Sequence, residues 1–403
     1  MKVLQVIHGF PPYYMAGSEI YTHTLTTELA KRVDVSVFTR IENPYAPPYT
    51  FTEESLNGIL VRRINKPLQD YTLLDKYIDN KIDDAFRKMV KETKPDLIHI
   101  GHLSHLSTNI VKIAKQEFSL PVVYTIHDFW LFCLRGQYIR EDMSLCTGCN
   151  ERNCYCCLKS RFKEHLTKKM IHKYYEHMKA IRKHIDLFLA PSEFLLNFFK
   201  ANGVPESKMI LSKYGFEKSQ ITFTKKRYFA NSRISFGFLG RIIPVKGIKL
   251  LLDAFDDRLN EKSNLHIFGD GGRDFRYLNS AKRKNIIVKG GYDNGNIQQI
   301  LDQIDVLVVP SLWYENSPLV IQEAFLAGKP VITADIGGMA ELVEPGKDGF
   351  LFRAGKVRSL QAVMMRIVKD PTLLNRLSVD QGKVKSVKDE VDSLVAVYKR
   401  LAR

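Results

Sequence analysis

Short β-branched runs alternate with longer helical stretches along most of this chain, and that alternation restricts the fold more than any other feature. Residues 3–7, 33–39, 97–100, 122–126 and 187–190 are apolar runs with the length and composition of buried strands. Stretches of helical periodicity, such as 18–32 and 75–94, lie between several of them. Apolar strands separated by helices predict a parallel sheet covered on both faces. Around residues 214–233 the pattern gives way to a polar, basic stretch that reads as a linker, including Glu217-Lys218-Ser219-Gln220 and Lys225-Lys226-Arg227. The alternation then resumes, with strands expected at 234–239, 265–268, 286–288, 306–309 and 331–333. At 403 residues the chain has room for two such units. The expectation is an α/β protein of two Rossmann-like, doubly wound parallel-sheet domains, residues 1–215 and 216–384. A C-terminal helix near 385–403 should pack back on the first. Ligands of such sheets bind beyond the carboxyl ends of the strands, so two domains facing across a cleft would share one site.

Charge and cysteine are both concentrated. Residues 151–250 hold 21 Lys and Arg against 7 Asp and Glu, which is most of the net charge of +16. A basic surface of this kind suits phospholipid, a phosphorylated acceptor or nucleic acid. Zinc-finger spacing and basic heptads are both missing, so nucleic acid is not the expected partner. Phe162, Leu166, Met170, Tyr174, Met178, Ile181 and Ile185 recur at spacings of three or four, predicting one amphipathic helix over 159–183. Its polar side would carry Lys159, Arg161, Lys163, Lys168, Lys169, Lys173, Lys179, Arg182 and Lys183, which fits an anionic membrane surface. Residues 1–9 read as a first strand and not a signal peptide, and no apolar run reaches 18 residues. The expected location is therefore cytoplasmic, peripheral at the inner face of the plasma membrane. All six cysteines fall between Cys133 and Cys157, in what reads as an insertion. Cys146, Cys149, Cys154 and Cys157 stand at C-x2-C-x4-C-x2-C spacing, with Cys133 and Cys156 as substitutes. In a reducing compartment that spacing predicts structural zinc.

The glycine-rich turns exclude the commonest nucleotide sites. His8-Gly9-Phe10-Pro11-Pro12 follows the first strand, and Gly269-Asp270-Gly271-Gly272-Arg273-Asp274 has Asp at the third glycine of a dinucleotide fingerprint. Gly328-Lys329 precedes Pro330 and Gly346-Lys347 precedes Asp348, so neither forms a P-loop. A different anion site is expected at Glu315-Asn316-Ser317-Pro318-Leu319-Val320, where the strand at 306–309 gives way to a helix. Ser317 would cap that helix and Pro318 open it, leaving the N–H groups of Leu319 and Val320 to meet an anion. Glu323 lies one turn behind and suits a ribose diol. Glu315 would reach sugar hydroxyls. Gly240-Arg241-Ile242-Ile243-Pro244-Val245-Lys246-Gly247 places a guanidinium fork and a point charge after another strand, as a diphosphate requires.

Gly-Arg-x4-Lys-Gly followed by Glu-x7-Glu at a helix start resembles the signature of glycosyltransferase family 4, within the GT-B fold. Ala16-Gly17-Ser18-Glu19, Thr125-Ile126-His127-Asp128, Phe268-Gly269-Asp270-Gly271 and Pro345-Gly346-Lys347-Asp348-Gly349-Phe350 resemble further segments of the family. The resemblance implies retaining transfer of a sugar from a UDP- or GDP-sugar to a glycan or lipid-phosphate-linked acceptor, in cell-surface polysaccharide or glycolipid synthesis. It implies catalytic roles for His127, Arg241, Lys246 and Glu315. It implies donor binding by Gly17, Gly291, Tyr292, Asn316, Ser317, Leu319, Val320 and Glu323. No Asp-x-Asp tripeptide occurs, so the chemistry is expected to need no metal and no cofactor. A nucleotide-sugar epimerase or isomerase on the same plan is the nearest rival, because fold alone does not decide function. Two segments depart from the family pattern. Ala16 stands for a glycine, and Lys213-Tyr214-Gly215-Phe216-Glu217 stands where relatives often carry Pro-Asn-Gly-x-Asp.

Overall fold

The computed structural model describes residues 1–67, 72–162, 166–271, 278 and 283–402. Within them the chain divides into two compact units. One comprises Met1–Gln137, Cys146–Phe216 and Lys385–Arg403, and the other Tyr138–Leu145 and Glu217–Val384. The chain thus leaves the first unit twice, after Gln137 and after Phe216, and re-enters it at Cys146 and at Lys385.

The first unit is built on an eight-stranded sheet of β1 (Lys2–Val6), β2 (Asp34–Ile41), β3 (Phe51–Leu56), β4 (Ile59–Asn65), β5 (Leu97–Ile100), β6 (Val122–Thr125), β7 (Leu187–Ala190) and β8 (Met209–Leu211). Their spatial order is β3-β4-β2-β1-β5-β6-β7-β8, parallel throughout except for β3 against β4. Buried Val3, Leu4, Val6, Ile98, Ile100, Val122 and Val123 mark the centre of this sheet, as expected of strands covered on both faces. The β3–β4 hairpin was not expected, because β3 is a mostly exposed edge strand without an apolar run. Its turn, Asn57-Gly58, takes φ of 53° and 81°, the two positive values of a hairpin turn.

Helix α1 spans Gly17–Leu29. The helix expected over 75–94 is α2 (Asn80–Thr93), and the Asp79 carboxylate sets its start by accepting from the N–H groups of Lys81 and Ile82. Residues Leu74–Lys76 form a separate 3-10 turn.

The single helix expected over 159–183 is two, α3 (Glu151–Phe162) and α4 (Lys168–His184). Thr167 caps α4 through the N–H of Met170. Lys163, Glu164 and the side chain of Arg161 lie outside the described residues. On α4 the buried line is Ile171, Tyr174, Met178 and Ile181, with Met170 at its margin. Lys168, Lys169, Lys173, Lys179 and Lys183 are exposed. Arg182 turns inward, donating to Leu131 O at 2.6 Å and stacking over Phe132, so it does not belong to the basic face.

The second unit holds β10 (Ile234–Leu239), β11 (Ser263–Phe268), β12 (Ile286–Gly290), β13 (Val306–Val309), β14 (Val331–Ala334) and β15 (Gly349–Phe352). Their order is β12-β11-β10-β13-β14-β15, all parallel. Helix α5 (Leu319–Leu326) follows β13. Gly272, Arg273 and Asp274 of the glycine-rich segment lie outside the described residues. The returning C-terminal segment pairs β16 (Lys385–Ser386) with β9 (Gly215–Phe216) in parallel, and continues as α6 (Val387–Leu401) in the first unit.

Candidate active site

In the second unit β10 and β13 lie side by side while the chain winds away from them in opposite directions. That is the switch point at which doubly wound sheets bind ligands. The loops leaving the two strands touch. Gly247, at φ 74°, lies so close to Pro310 that a Cβ would sit 1.9 Å from the Pro310 carbonyl oxygen. The 3-10 turn Pro244–Lys246 delivers Lys246, whose Nζ lies 2.6 Å from Glu315 Oε1. Ser311 Oγ and Trp313 Nε1 donate to the same oxygen at 2.7 and 2.9 Å. None of these three bonds falls on Oε2. Glu315 is buried, and its carbonyl accepts from the N–H of Gly338 at 2.7 Å. Arg241, from the loop after β10, is exposed. The two ends of the sequence signature are therefore joined by an ion pair in the fold.

Helix α5 starts one residue later than Ser317 capping would require. Pro318 occupies the cap position in extended backbone, and no side chain caps the helix. Leu319 and Val320 supply the first N–H groups, which precede any intrahelical acceptor and carry the positive end of the helix. Asn316 and Ser317 are buried just before them. Glu323, one turn on, is half-buried, and burial raises its carboxyl to about 7. Tyr292, after β12, has its hydroxyl pushed up by burial and then by the nearby Glu323 charge. Gly291, exposed, precedes it.

Gly17 and His127 belong to the first unit. Gly17 opens α1 behind the extended Ala16, and Glu19 sits in the first turn. Glu19 accepts from His8 at 3.1 Å and from Ser18 at 2.8 Å. Burial alone would raise its carboxyl, but these bonds hold it down to about 2. Burial lowers His8, and the bond to Glu19 works against that shift. His102, beyond β5, packs on His8 at 4.6 Å between ring centroids and meets Asp128 at 3.2 Å. Asp128 also accepts from the N–H of Trp130. His127, beyond β6, has Nδ1 2.6 Å from the Tyr214 hydroxyl. Its Nε2 is buried without a partner, and burial lowers the ring to about 3, so it is neutral. Sequence reasoning missed Ser311, Trp313, His8, His102 and Tyr214. His8 and His102 follow apolar runs directly and could have been flagged. The others are recognisable only by what they touch.

The family model described as Glycosyltransferase Family 4 matches residues 15–211, and that described as Glycosyl transferases group 1 matches residues 220–383. This chain belongs to glycosyltransferase family 4. The transferase is 28% identical over 302 residues to the UDP-Gal:alpha-D-GlcNAc-diphosphoundecaprenol alpha-1,3-galactosyltransferase of Escherichia coli, covering 71% of this chain and 70% of that one. Its fold is similar to that of Anabaena HepE in complex with UDP and glucose, with a TM-score of 0.69 at 16% identity and 99% of each chain covered. It is also similar to the sucrose-phosphate synthase of Thermosynechococcus elongatus, with a TM-score of 0.72 at 18% identity and 99% and 98% covered. The two sheets are thus the two Rossmann-like domains of a GT-B enzyme.

In the transferase, Cys133, one of the two substitutes, lies beside Cys149 together with Cys146 and Cys154. The Cys149 thiol hydrogen-bonds with Cys133, Cys146 and Cys154, and these contacts raise its pKa. Cys154 also meets the Tyr175 hydroxyl at 2.6 Å. Among the described residues no three His, Cys, Asp or Glu side chains already form a metal-holding arrangement, and no helix is long and apolar enough to cross a membrane.

Proposed function

We propose that this glycosyltransferase moves a hexose from UDP-sugar to a lipid-phosphate-linked or glycan acceptor with retention of configuration. The observation that carries the reading is the Lys246–Glu315 pair at the switch point of the second sheet, with the start of α5 and Glu323 beside it. Lys246, Arg241 and the first N–H groups of α5 offer positive charge to a departing diphosphate, a task for fixed electrostatics and positioning. With that charge supplied by side chains and backbone, transfer proceeds without an added divalent cation. Glu323 takes the ribose hydroxyls. Glu315 Oε2 takes hydroxyls of the donor sugar, and His127 Nε2 takes a substrate oxygen. The UDP and acceptor assignments follow the names of the Escherichia coli relative and the Anabaena structure.

The exposed lysines of α4 hold the enzyme at an anionic lipid surface. The cysteine cluster holds one structural zinc through Cys133, Cys146, Cys149 and Cys154, once the thiols spread from their present contacts.

Calorimetry with UDP-, GDP- and ADP-sugars tests the donor, and tight binding of only GDP- or ADP-sugars would refute the UDP assignment. Anomeric couplings of the product test retention, and turnover in excess chelator tests independence from metal. A donor converted to its epimer in the absence of acceptor would replace the transferase reading altogether.

A further inference from the structure

The segment that departs from the family pattern makes a direct bond to the His127 ring. Tyr214 occupies the place of the family's asparagine, and its hydroxyl lies 2.6 Å from His127 Nδ1. Its ring packs against Tyr21 at 4.1 Å between centroids, and Tyr21 meets the edge of His127 at 5.3 Å. Both tyrosines are tied to the returning helix α6 through Glu390, which is fully buried. Glu390 Oε1 accepts from the Tyr21 hydroxyl at 2.6 Å, and Oε2 accepts from the Gly215 N–H at 2.7 Å. Only glycine allows that second bond. A Cβ on residue 215 would lie 2.5 Å from Val387 Cα. A second tie runs from the same helix to the end of β6. The Tyr398 hydroxyl lies 2.6 Å from His99 Nδ1, and His99 Nε2 lies 2.7 Å from Thr125 Oγ1, two residues before His127.

A neutral imidazole carries one N–H, and the partner of one nitrogen decides where it sits. The Tyr21 hydroxyl is already spent on Glu390. Tyr214 is the group placed to choose the tautomer of His127, and a phenol is the better donor toward an imidazole nitrogen. We propose that Tyr214, braced by Glu390 through Tyr21 and Gly215, is a positioning residue that donates to His127 Nδ1 and so fixes the Nε2–H tautomer. The buried, unpartnered Nε2 then presents a donor to a substrate oxygen. This rests on the reading of His127 as a substrate contact. An asparagine at 214 could donate from its amide, but without the stacking that couples position 214 to Tyr21 and α6.

The test uses the full-length enzyme labelled with 15N in its imidazoles, with the His127 signals identified by their loss in His127→Gln. The parent should show His127 as Nε2–H with Nδ1 hydrogen-bonded, and Tyr214→Phe should lose the Nδ1 hydrogen-bond shift. Tyr214→Phe should lower kcat about tenfold with donor KM little changed, and should cost nothing further in the His127→Gln background. Glu390→Gln turns an amide N–H₂ toward one of two donors and should reproduce part of the same loss with unchanged circular dichroism. An Nδ1–H tautomer in the parent, or additive losses in the double variant, would overturn the proposal. His127→Gln transferring at the parent rate would instead overturn the substrate-contact reading beneath it.

Discussion

Replacing Glu323 with Gln separates two things its carboxyl does, and the structure sets the size of each. Burial takes this carboxyl from an ordinary 4.5 to about 7, so its ionised form carries a cost on the order of 3 kcal/mol. A folded-state value above the unfolded one means the folded protein holds more protons between those two values. Stability from this group is therefore fully present below pH 4.5 and is lost as pH rises to about 7. Gln has the same shape and no charge to bury. Glu323→Gln should stabilise the free enzyme at pH 8 by about 1–3 kcal/mol, while leaving it unchanged near pH 4.

Nucleotide binding should run the other way. A ribose diol donates two hydrogen bonds to a carboxylate and so favours ionisation. A UDP-sugar, whose diphosphate has no group titrating near pH 6, should accordingly bind with net proton release at pH 6 and little at pH 8.5, and its affinity should fall as pH drops below 7 in the parent alone. Calorimetry in two buffers of different ionisation enthalpy reads the proton count directly. Proton uptake at pH 6, or release that persists in Glu323→Gln, would refute the reasoning.

Lys246→Ala and Arg241→Ala should each lower kcat by about a hundredfold. Lys246→Ala alone should also cost about 1.5–3 kcal/mol in urea unfolding, because it takes a charged partner from the buried Glu315; parent-rate transfer by both variants would remove the diphosphate assignment. Elemental analysis without chelator should find about one zinc per chain. Cys133→Ser should lose it, whereas six freely titrating thiols and no metal would refute the site. The enzyme should sediment with anionic but not neutral vesicles and be released by salt. Reversing Lys168, Lys169, Lys173 and Lys179 to Glu should abolish sedimentation while leaving UDP binding intact, and binding that ignores salt and lipid charge would sink the membrane role.

Buried parallel strands are legible because both faces are apolar, so β7 and β13 appear as uninterrupted runs without any partner being known, and β5 and β10 as runs broken by a single polar residue, His99 or Ser235. The edge strand β3 had no such signature, since one face and one edge of it meet water. Helix ends were less legible, and the helix expected from residue 75 starts at Asn80, more than a turn later. Periodicity marks the interior of a helix, while its limits depend on single caps such as Asp79, Thr167 and Pro318. The same limit hid the break between α3 and α4, whose apolar spacing runs on without a change of phase.

Sequence alone determined the two-sheet plan and the loops in which Arg241, Lys246 and Glu315 lie, because Gly-Arg-x4-Lys-Gly and Glu-x7-Glu are local patterns tied to strand ends and a helix start. Tertiary structure decided the pairings. Lys246 meets Glu315 across 69 positions of chain, and Tyr214 meets His127 across 87. Glu390, among ordinary helical residues of α6, becomes a buried brace for Tyr21 and Gly215. It also brought Cys133 beside Cys149, across 16 positions of chain. Spacing along a chain fixes which residues share a turn or a face, whereas contacts between distant residues depend on the order in which strands pair, and that order is settled only when the sheet forms.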